Sequence, residues 1–550
     1  MNSEAWIIDG YVDEPACLGV PPYISPYIRT VAGVFLSKDI PVTYHTIDQI
    51  RADQKLLRKA NTADYVTIIA GMTVPGKYLG GTPATWQEIE QLGTALSNPH
   101  TFLGGPVLFG AGTAGGQTPT KREGFNVDTL LHGSPAGALD RWFSGNTPSA
   151  PFLYRDEDEW ALKGAGIITQ HPCYPFVMCE IETARGCNRE VTGGCAFCTE
   201  PLYGKPDHRT LEGIKKEISA LTDSGAVHFR IGRQPDILTW QAGGSEFPVP
   251  KPDMIEQLFS SIRACAPSLK TLHIDNVNPG TIARHPQEAY EALCAIIRHH
   301  TSGDVAAFGM ETADPVVIEE NNLKATPEMV MDAIQIVQDA GQTRRNGIPE
   351  LLPGLNFIAG LAGETDRTYT LNREFLEKIL QKGHLIRRVN IRQLMPFEGT
   401  RAWDNNALPV QEKLFHAFKD WTRKNFDLPM LRKVFPTYTV LRSVIIEKEG
   451  EISFGRQMGS YPILVGIPLF LPDRTVLDVF IIDHGMRSLT ALPWPVHINT
   501  LPYKALKQIP GLSKKGVARV IAKRPFHSTA EFTKSAGVIL PEGILDFTLP

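Results

Sequence analysis

Hydrophobic positions in the first part of the chain come in short runs that end in turn residues. Trp6-Ile7-Ile8-Asp9-Gly10, Ile40-Pro41-Val42-Thr43-Tyr44, residues 65–71 and Thr101-Phe102-Leu103-Gly104-Gly105 are such runs, and the stretches between them are long enough for helices. The alternation predicts a small parallel α/β sheet over residues 1–145, with any ligand at the carboxyl ends of its strands, near Asp9-Gly10, Gly71 and Gly104-Gly105. Residues 146–179 read as a linker. Over 180–425 a longer series of strand-then-helix units predicts a parallel barrel or partial barrel, with residues 227–232, 272–275, 305–312, 355–360 and 388–392 as its second to sixth strands. Residues 326–340 have helical spacing and stop at Gly341. Over 435–499, apolar runs at 438–446, 462–467 and 476–482 predict a small β-barrel of about five strands. The final segment is 500–550.

Cysteine placement adds chemistry to this frame. Cys187, Cys195 and Cys198 fall within twelve residues, with seven residues between the first two and two between the last two. Gly186, Gly193 and Gly194 make the stretch a loop, where a cysteine is poorly placed to serve as a small buried hydrophobe. Spacing leaves two metals level: zinc, with a further ligand from His171, Cys173 or Cys179, or a [4Fe-4S] cluster held by three thiolates with one iron open. Cys17, in a Pro-rich loop, reads as a free thiol or as a further ligand joined by Cys173 and Cys179.

The residues around the cysteines carry a resemblance. Arg185-Gly186-Cys187 and the aromatic Phe197 inside the CxxC pair are similar to the cluster loop of the radical S-adenosylmethionine (radical SAM) superfamily, whose usual first spacing is three residues rather than seven. Downstream, Gly232-Arg233-Gln234-Pro235 resembles the superfamily's Gly-Gly-Glu-Pro turn without its acid. Glu311-Thr312 resembles the fourth-strand end, Ile358 to Glu364 with Gly360 and Gly363 resembles the fifth-strand motif beside adenine, and Pro396-Phe397-Glu398-Gly399-Thr400 resembles the turn after the sixth strand. The resemblance implies that Cys187, Cys195 and Cys198 hold a [4Fe-4S] cluster. It implies that Gly232, Gln234, Pro235, Glu311, Thr312, Ile358, Gly360, Gly363 and Glu364 bind S-adenosylmethionine, which is cleaved reductively to methionine and a 5′-deoxyadenosyl radical that abstracts hydrogen from substrate. The first domain is similar to the Rossmann-like domain of cobalamin-binding radical SAM enzymes and of radical SAM methylthiotransferases. It lacks the Asp-x-His-x-x-Gly loop of the former and has only Cys17 of the three cysteines of the latter. Taken singly, each glycine also reads as a turn residue and each acid as a helix-start residue; their order behind a three-cysteine loop is what the simpler readings leave unexplained.

Bulk properties bound the partners. The 550 residues exceed what one core serves, and 42% hydrophobic with 21% charged residues is the composition of a soluble globular protein. A net charge of −4 argues against a uniformly basic nucleic-acid coat, yet residues 500–550 hold eight Lys or Arg against three Asp or Glu. Within that tail Ile509-Pro510-Gly511-Leu512 and the following Lys514, Lys515 and Arg519 resemble a helix-hairpin-helix motif, with Ser513 where a second Gly is usual. Pro510, Gly511, Lys514, Lys515 and Arg519 are then expected to contact nucleic acid. A helix pair docked on the barrel is the structural alternative. The small β-barrel is loosely similar to the RNA-binding TRAM domain. Together these point to modification of a nucleic acid, RNA before DNA, with two rivals: a protein or peptide substrate, or a non-enzymatic zinc-dependent nucleic-acid-binding protein. A one-electron donor such as ferredoxin or flavodoxin is expected. No secretion signal or long apolar run is seen, so a cytoplasmic protein without a membrane partner is expected.

Overall fold

The computed structural model describes residues 3–12, 22–72, 81–112, 115–120, 124–405 and 411–548. The N-terminal sheet has six parallel strands in the order Val42–Thr46, Ala5–Asp9, Tyr65–Ile69, His100–Gly104, Thr129–Gly133, Ser149–Ala150. Ile7, Ile8, Val66, Ile68, Ile69, Phe102 and Leu103 are all fully buried, as expected of a parallel sheet covered on both faces. Strand order reverses beside Ala5–Asp9, the topological switch point of a doubly wound sheet. Cys17 lies outside the described residues.

The second sheet system is the partial barrel. Met178–Glu182, His228–Gly232, Thr271–Ile274, Asp304–Glu311, Leu351–Ala359 and Arg388–Gln393 run parallel in chain order, the third and fourth joined by a bridge between Asn276 and Ala307. Phe229, Ile231, Leu272, Ile274, Phe308, Leu355 and Phe357 form the packed face, and the alternate positions carry Glu180, Arg230, Asn356, Asn390 and Arg392. The fifth strand starts at Leu351, earlier than its apolar run suggests, because it passes through Pro353 and Gly354, which read as a turn. Pro353 needs no donor there: its carbonyl accepts the Arg387 N–H at 2.8 Å.

The chain between the two sheets is firmly packed. Tyr23–Ile24 adds a parallel strand to the outer edge of Met178–Glu182. Residues 146–179, which read as a linker, contain the helix Tyr154–Gly164, and this packs on Pro26–Ser37 through two glycines. A Cβ at Gly33 would lie 1.9 Å from the Trp160 carbonyl oxygen, and one at Gly164 the same distance from that of Arg29. Arg29 crosses the junction, with Nε 2.8 Å from Glu217 Oε1 and Nη2 donating to the Glu180 carbonyl. Arg209 binds both Glu217 and Asp158, so Glu217 sits between two guanidiniums with 1% of its surface exposed.

Five strands, Val440–Lys448, Ser453–Arg456, Leu464–Ile467, Ser488–Pro493 and Val476–His484, close the small barrel in that order. Its loop around Ser460 enters the partial barrel. Ser460 donates through its hydroxyl to the Ile274 carbonyl (2.8 Å) and through its N–H to His273 Nδ1 (3.1 Å), and the Tyr461 hydroxyl donates to Asp275 Oδ1 (2.5 Å). In the tail, Tyr503–Leu506, Lys514–Lys523 and Thr529–Ala536 are helical, and Leu506, Ile509, Val517, Val520 and Phe532 share one apolar cluster with Phe480 and Leu492 of the small barrel. Among the described residues no helix is long and apolar enough to cross a membrane.

Candidate active site

The three cysteines lie just past the carboxyl end of the first partial-barrel strand, Met178–Glu182. Cys187 precedes the short helix Asn188–Thr192, and Gly193 and Gly194 then turn with φ of +78° and +63°, which brings Cys195 and Cys198 back beside it. Burial pushes the Cys187 thiol up to about 11, with the neighbouring Cys195 adding to the shift. Burial raises Cys198 well above the ordinary thiol range, and Cys195 and Cys187 raise it further. Cys198 thus senses both other thiols, and Cys187 senses Cys195. Among the described residues no three His, Cys, Asp or Glu side chains form a ready cage for a single ion.

The widened gap between Cys187 and Cys195 has a structural use. Arg189, inside it and 4% exposed, directs Nη1 to Cys195 Sγ at 3.1 Å, Nε to Glu246 Oε1 at 2.7 Å and Nη2 to Asn322 Oδ1 at 3.0 Å. Asn322 in turn donates to the carbonyls of Thr192 (3.1 Å) and Gly194 (2.8 Å), and Arg401 Nη2 reaches the Gly194 carbonyl at 2.8 Å. On the CxxC side, the Ala196 N–H donates to the Asn321 carbonyl and the Ala196 carbonyl accepts from the Ala402 N–H, both at 2.9 Å. Arg189, Asn321, Asn322 and Arg401 were not singled out from sequence. Asn322, at φ +47°, is an αL asparagine in a turn, and its type is the only sequence signal for any of the four.

The other expected residues gather round this loop to different degrees. Ile358 packs with Leu361, Leu394, Ala402, Cys195 and Phe197 in one small apolar cluster, so the ends of the fifth and sixth strands wall the cysteine loop. Glu311 takes φ +61° at the end of its strand, a costly conformation for a non-glycine residue, just after a register shift in the pairing. Burial pushes its carboxyl up to about 7 against the pull of Lys324, whose Nζ is 3.9 Å away. Lys324, also missed from sequence, is held above its ordinary value despite burial by Glu311, Cys195 and Cys198. Gly360 (φ +93°) and Gly363 (φ +80°) shape the fifth-strand turn, and Glu364 fastens it, accepting from the Gly360 N–H and the Tyr369 hydroxyl at 2.7 Å each. Glu364 therefore holds a turn.

Gly232 ends the second strand, where a Cβ would lie 2.5 Å from Glu180 Oε1. The Gln234 amide is occupied, accepting from the Thr183 hydroxyl at 3.3 Å and donating to the Ile231 carbonyl at 3.1 Å. Glu200 supplies an acid at this turn instead, joining the Arg233 guanidinium (2.9 Å) to the Gly186 N–H (2.9 Å). Pro235 lines a small crevice with Cys187 and Arg189. Thr312 faces Asn372, to which its hydroxyl donates at 3.2 Å. Cys179 is fully buried in the main core with its thiol pushed up to about 12 by burial, and Cys173 is half-buried near Arg474 and Glu447. In the tail Lys514, Lys515, Arg519 and Gly511 are exposed and Pro510 is half-buried. Ser513 caps the helix at the Gly516 N–H, and Gly511 has φ +78°.

Three soft sulfur donors, a guanidinium on one of them, an ammonium close by and an apolar wall make a site suited to a polynuclear iron–sulfur cofactor, because the two cations offset the thiolates' charge in a water-poor setting. Fold and site together define a cofactor-dependent barrel enzyme. The family model for the radical SAM superfamily matches residues 181–376. Two relatives are similar over nearly the whole length: an uncharacterized protein of Archaeoglobus fulgidus (39% identical, covering 97% of this chain and 98% of the relative) and the uncharacterized protein MJ0274 of Methanocaldococcus jannaschii (42% identical, 89% and 93%). Among solved structures, the radical S-adenosylmethionine methyltransferase TsrM from Kitasatospora setae is similar with a TM-score of 0.48 at 13% identity, over 72% of this chain and 74% of that one. The chain belongs to the radical SAM superfamily; it is an enzyme whose cofactors are a [4Fe-4S] cluster and S-adenosylmethionine.

Proposed function

We propose that Cys187, Cys195 and Cys198 hold the cluster, that S-adenosylmethionine lies between Gly232–Pro235, Glu311-Thr312 and the 358–364 turn, and that the enzyme modifies a nucleic acid, RNA before DNA. The observation that carries the cofactor placement is the apolar cluster joining Cys195 and Phe197 to Ile358, Leu361 and Leu394, since it brings together two separately recognised motifs and the residue that follows the sixth strand. Held there by Gly232–Pro235, Glu311-Thr312 and the 358–364 turn, S-adenosylmethionine would supply 5′-deoxyadenosyl radical chemistry on one-electron reduction by the donor. The chain's own part is to exclude water with Phe197, Ile358 and Leu394, to keep Glu311 at the rim near Lys324, and to hold the loop rigid through Arg189, Asn321, Asn322 and Arg401. Support for RNA comes from the exposed Lys514 and Lys515 at the start of a Ser513-capped helix, in a segment whose sequence resembles a helix-hairpin-helix, beside a closed five-stranded barrel whose sequence is loosely similar to a TRAM domain. A ferredoxin or flavodoxin would be the electron donor, in the cytoplasm.

Anaerobic purification and reconstitution tests this directly. A brown protein with about four irons per chain, forming 5′-deoxyadenosine with dithionite, is the expected result; a colourless protein with stoichiometric zinc replaces the reading. For the substrate, Lys514→Gln with Lys515→Gln is expected to weaken binding of bulk RNA by about tenfold and to reduce the salt slope by roughly two. Unchanged binding and slope remove the support for nucleic acid. For Arg189→Gln, the reduction midpoint of the reconstituted cluster is expected to fall by on the order of 50 mV, because the lost hydrogen bond to Cys195 stabilised the more electron-rich state. Spectroelectrochemistry reads this apart from turnover.

A further inference from the structure

Burial alternates from residue to residue along the fourth to sixth strands of the partial barrel. Phe308, Phe357, Val389 and Ile391 are buried, and Phe357 meets Phe418 of the surrounding helix Glu412–Thr422 with ring centres 5.8 Å apart, so these positions face outward. The alternate positions Gly309, Asn356, Ile358, Asn390 and Arg392 face the barrel interior and keep part of their surface open. The interior is therefore not filled on this side. Arg388–Gln393 is also the end strand of its sheet, and among the described residues no further strand closes the barrel beyond it.

Asn390, Asn356 and Gly309 are register partners across the three strands. Neighbouring strands run about 4.8 Å apart, which sets the two asparagines side by side and puts Asn390 about 10 Å from Gly309. Over Gly309 lie Glu311 and Lys324: a Cβ there would be 2.3 Å from both Glu311 Oε1 and Lys324 Nζ. The asparagine row thus begins beside the acid assigned to S-adenosylmethionine. Asn390 Nδ2 is buried without a hydrogen-bond partner, a donor that the fold leaves unmatched. The charged inward residues on the same strand are engaged elsewhere, since Arg388 packs on the Tyr461 ring, 4.1 Å from its centre, and Arg392 acts on Glu311. The row itself offers hydrogen bonds without charge.

We propose that Asn356 and Asn390 read the hydrogen-bonding edge of a nucleobase brought to the barrel interior, an inference that rests on the reading of the enzyme as one that modifies a nucleic acid. A carboxamide presents its C=O and N–H side by side, and a base edge presents its own donor and acceptor in the same way, so the two match in a two-point contact. A trans peptide unit directs its N–H and C=O to opposite sides and fills only half of such a contact. Ile358, on the same face as Asn356, offers an apolar surface to the base. A base stacked inside a duplex cannot reach this row, so the substrate presents it unpaired or extruded. Asn356 and Asn390 then set which base is accepted.

Titration calorimetry of the reconstituted, S-adenosylmethionine-loaded enzyme with adenosine, cytidine, guanosine and uridine tests this, the loaded cofactor keeping nucleosides out of its own site. One or two of the four should bind at a single site. Asn390→Leu should weaken that binding about tenfold and Asn356→Leu about fivefold, and Asn390→Asp, which keeps the shape and removes the donor, should match Asn390→Leu. Iron content, the folding control, should stay at about four per chain. Lys514→Gln with Lys515→Gln should leave nucleoside binding unchanged, so that the tail's part in RNA binding and the asparagine row fail separately. Binding of none of the four, or equal affinities in the wild type and the iron-replete asparagine variants, overturns the proposal. Asparagine-dependent binding of N-acetylglutamine amide in place of a nucleoside assigns the row to a peptide and overturns it as well.

Discussion

Cys198→Ala is expected to abolish both iron binding and 5′-deoxyadenosine formation, while Cys173→Ala leaves both intact. Cys198 is the deepest of the three thiols in electrostatic terms, raised by burial and then by Cys195 and Cys187, so it becomes a thiolate only when a metal takes the proton's place. On the proposed assignment, removing one of the three thiolates would leave two, too few to retain the cluster. Iron should fall from about four per chain to near zero, and the broad absorbance should vanish with it. Cys173 supplies the contrast: its N–H donates to His171 Nδ1 at 3.1 Å, and its surroundings are Arg474 and Glu447 rather than the cysteine loop. Retention of four irons in Cys198→Ala would move the cluster elsewhere and sink the ligand assignment; loss of iron in Cys173→Ala would point to a second cluster.

How far this site can be read from sequence depends on how local its parts are. The strand pattern and the CxxC loop are contiguous, so periodicity and spacing expose them, and the second, third, fourth and sixth partial-barrel strands fall within about one residue of their apolar runs. Short pieces escape: Tyr23–Ile24 is two residues long and gains its meaning only from Met178–Cys179, far along the chain. The fifth strand is cut short because Pro353 and Gly354 are turn-forming in isolation. Arg189, Asn322 and Arg401 are surface-type residues whose place at the cysteine loop follows from contacts across 133 and 207 positions, and no local rule signals such contacts. Gln234 shows the converse case. Its motif position is legible in sequence, but the bonds its side chain makes to the Thr183 hydroxyl and the Ile231 carbonyl, and the neighbouring Glu200–Arg233 pair, are not.

Glu217→Ala is expected to cost about 3–5 kcal/mol of stability, because it strands the buried Arg29 and Arg209 without their shared carboxylate. Burial alone would raise the Glu217 pKa, yet Arg209 and Arg29 pull it from 4.5 to about 2. A folded-state value below the unfolded one gives stability that is fully present above pH 4.5 and drains as pH falls toward 2. The gap between wild-type and Glu217→Gln melting temperatures should therefore be widest near neutral pH and narrow steadily through that acid window; a pH-independent gap would show that the loss is one of packing. The site of the damage is also defined. Arg29 sits on the helix that follows Tyr23–Ile24, and Tyr23–Ile24 covers the edge of Met178–Glu182. Freed of Glu217, that edge should open first, giving early hydrogen exchange at Met178–Glu182 before the N-terminal sheet loses protection. The cysteine loop leaves this strand a few residues later, so docking of the first domain and rigidity of the cluster loop are two consequences of the same buried ion pair.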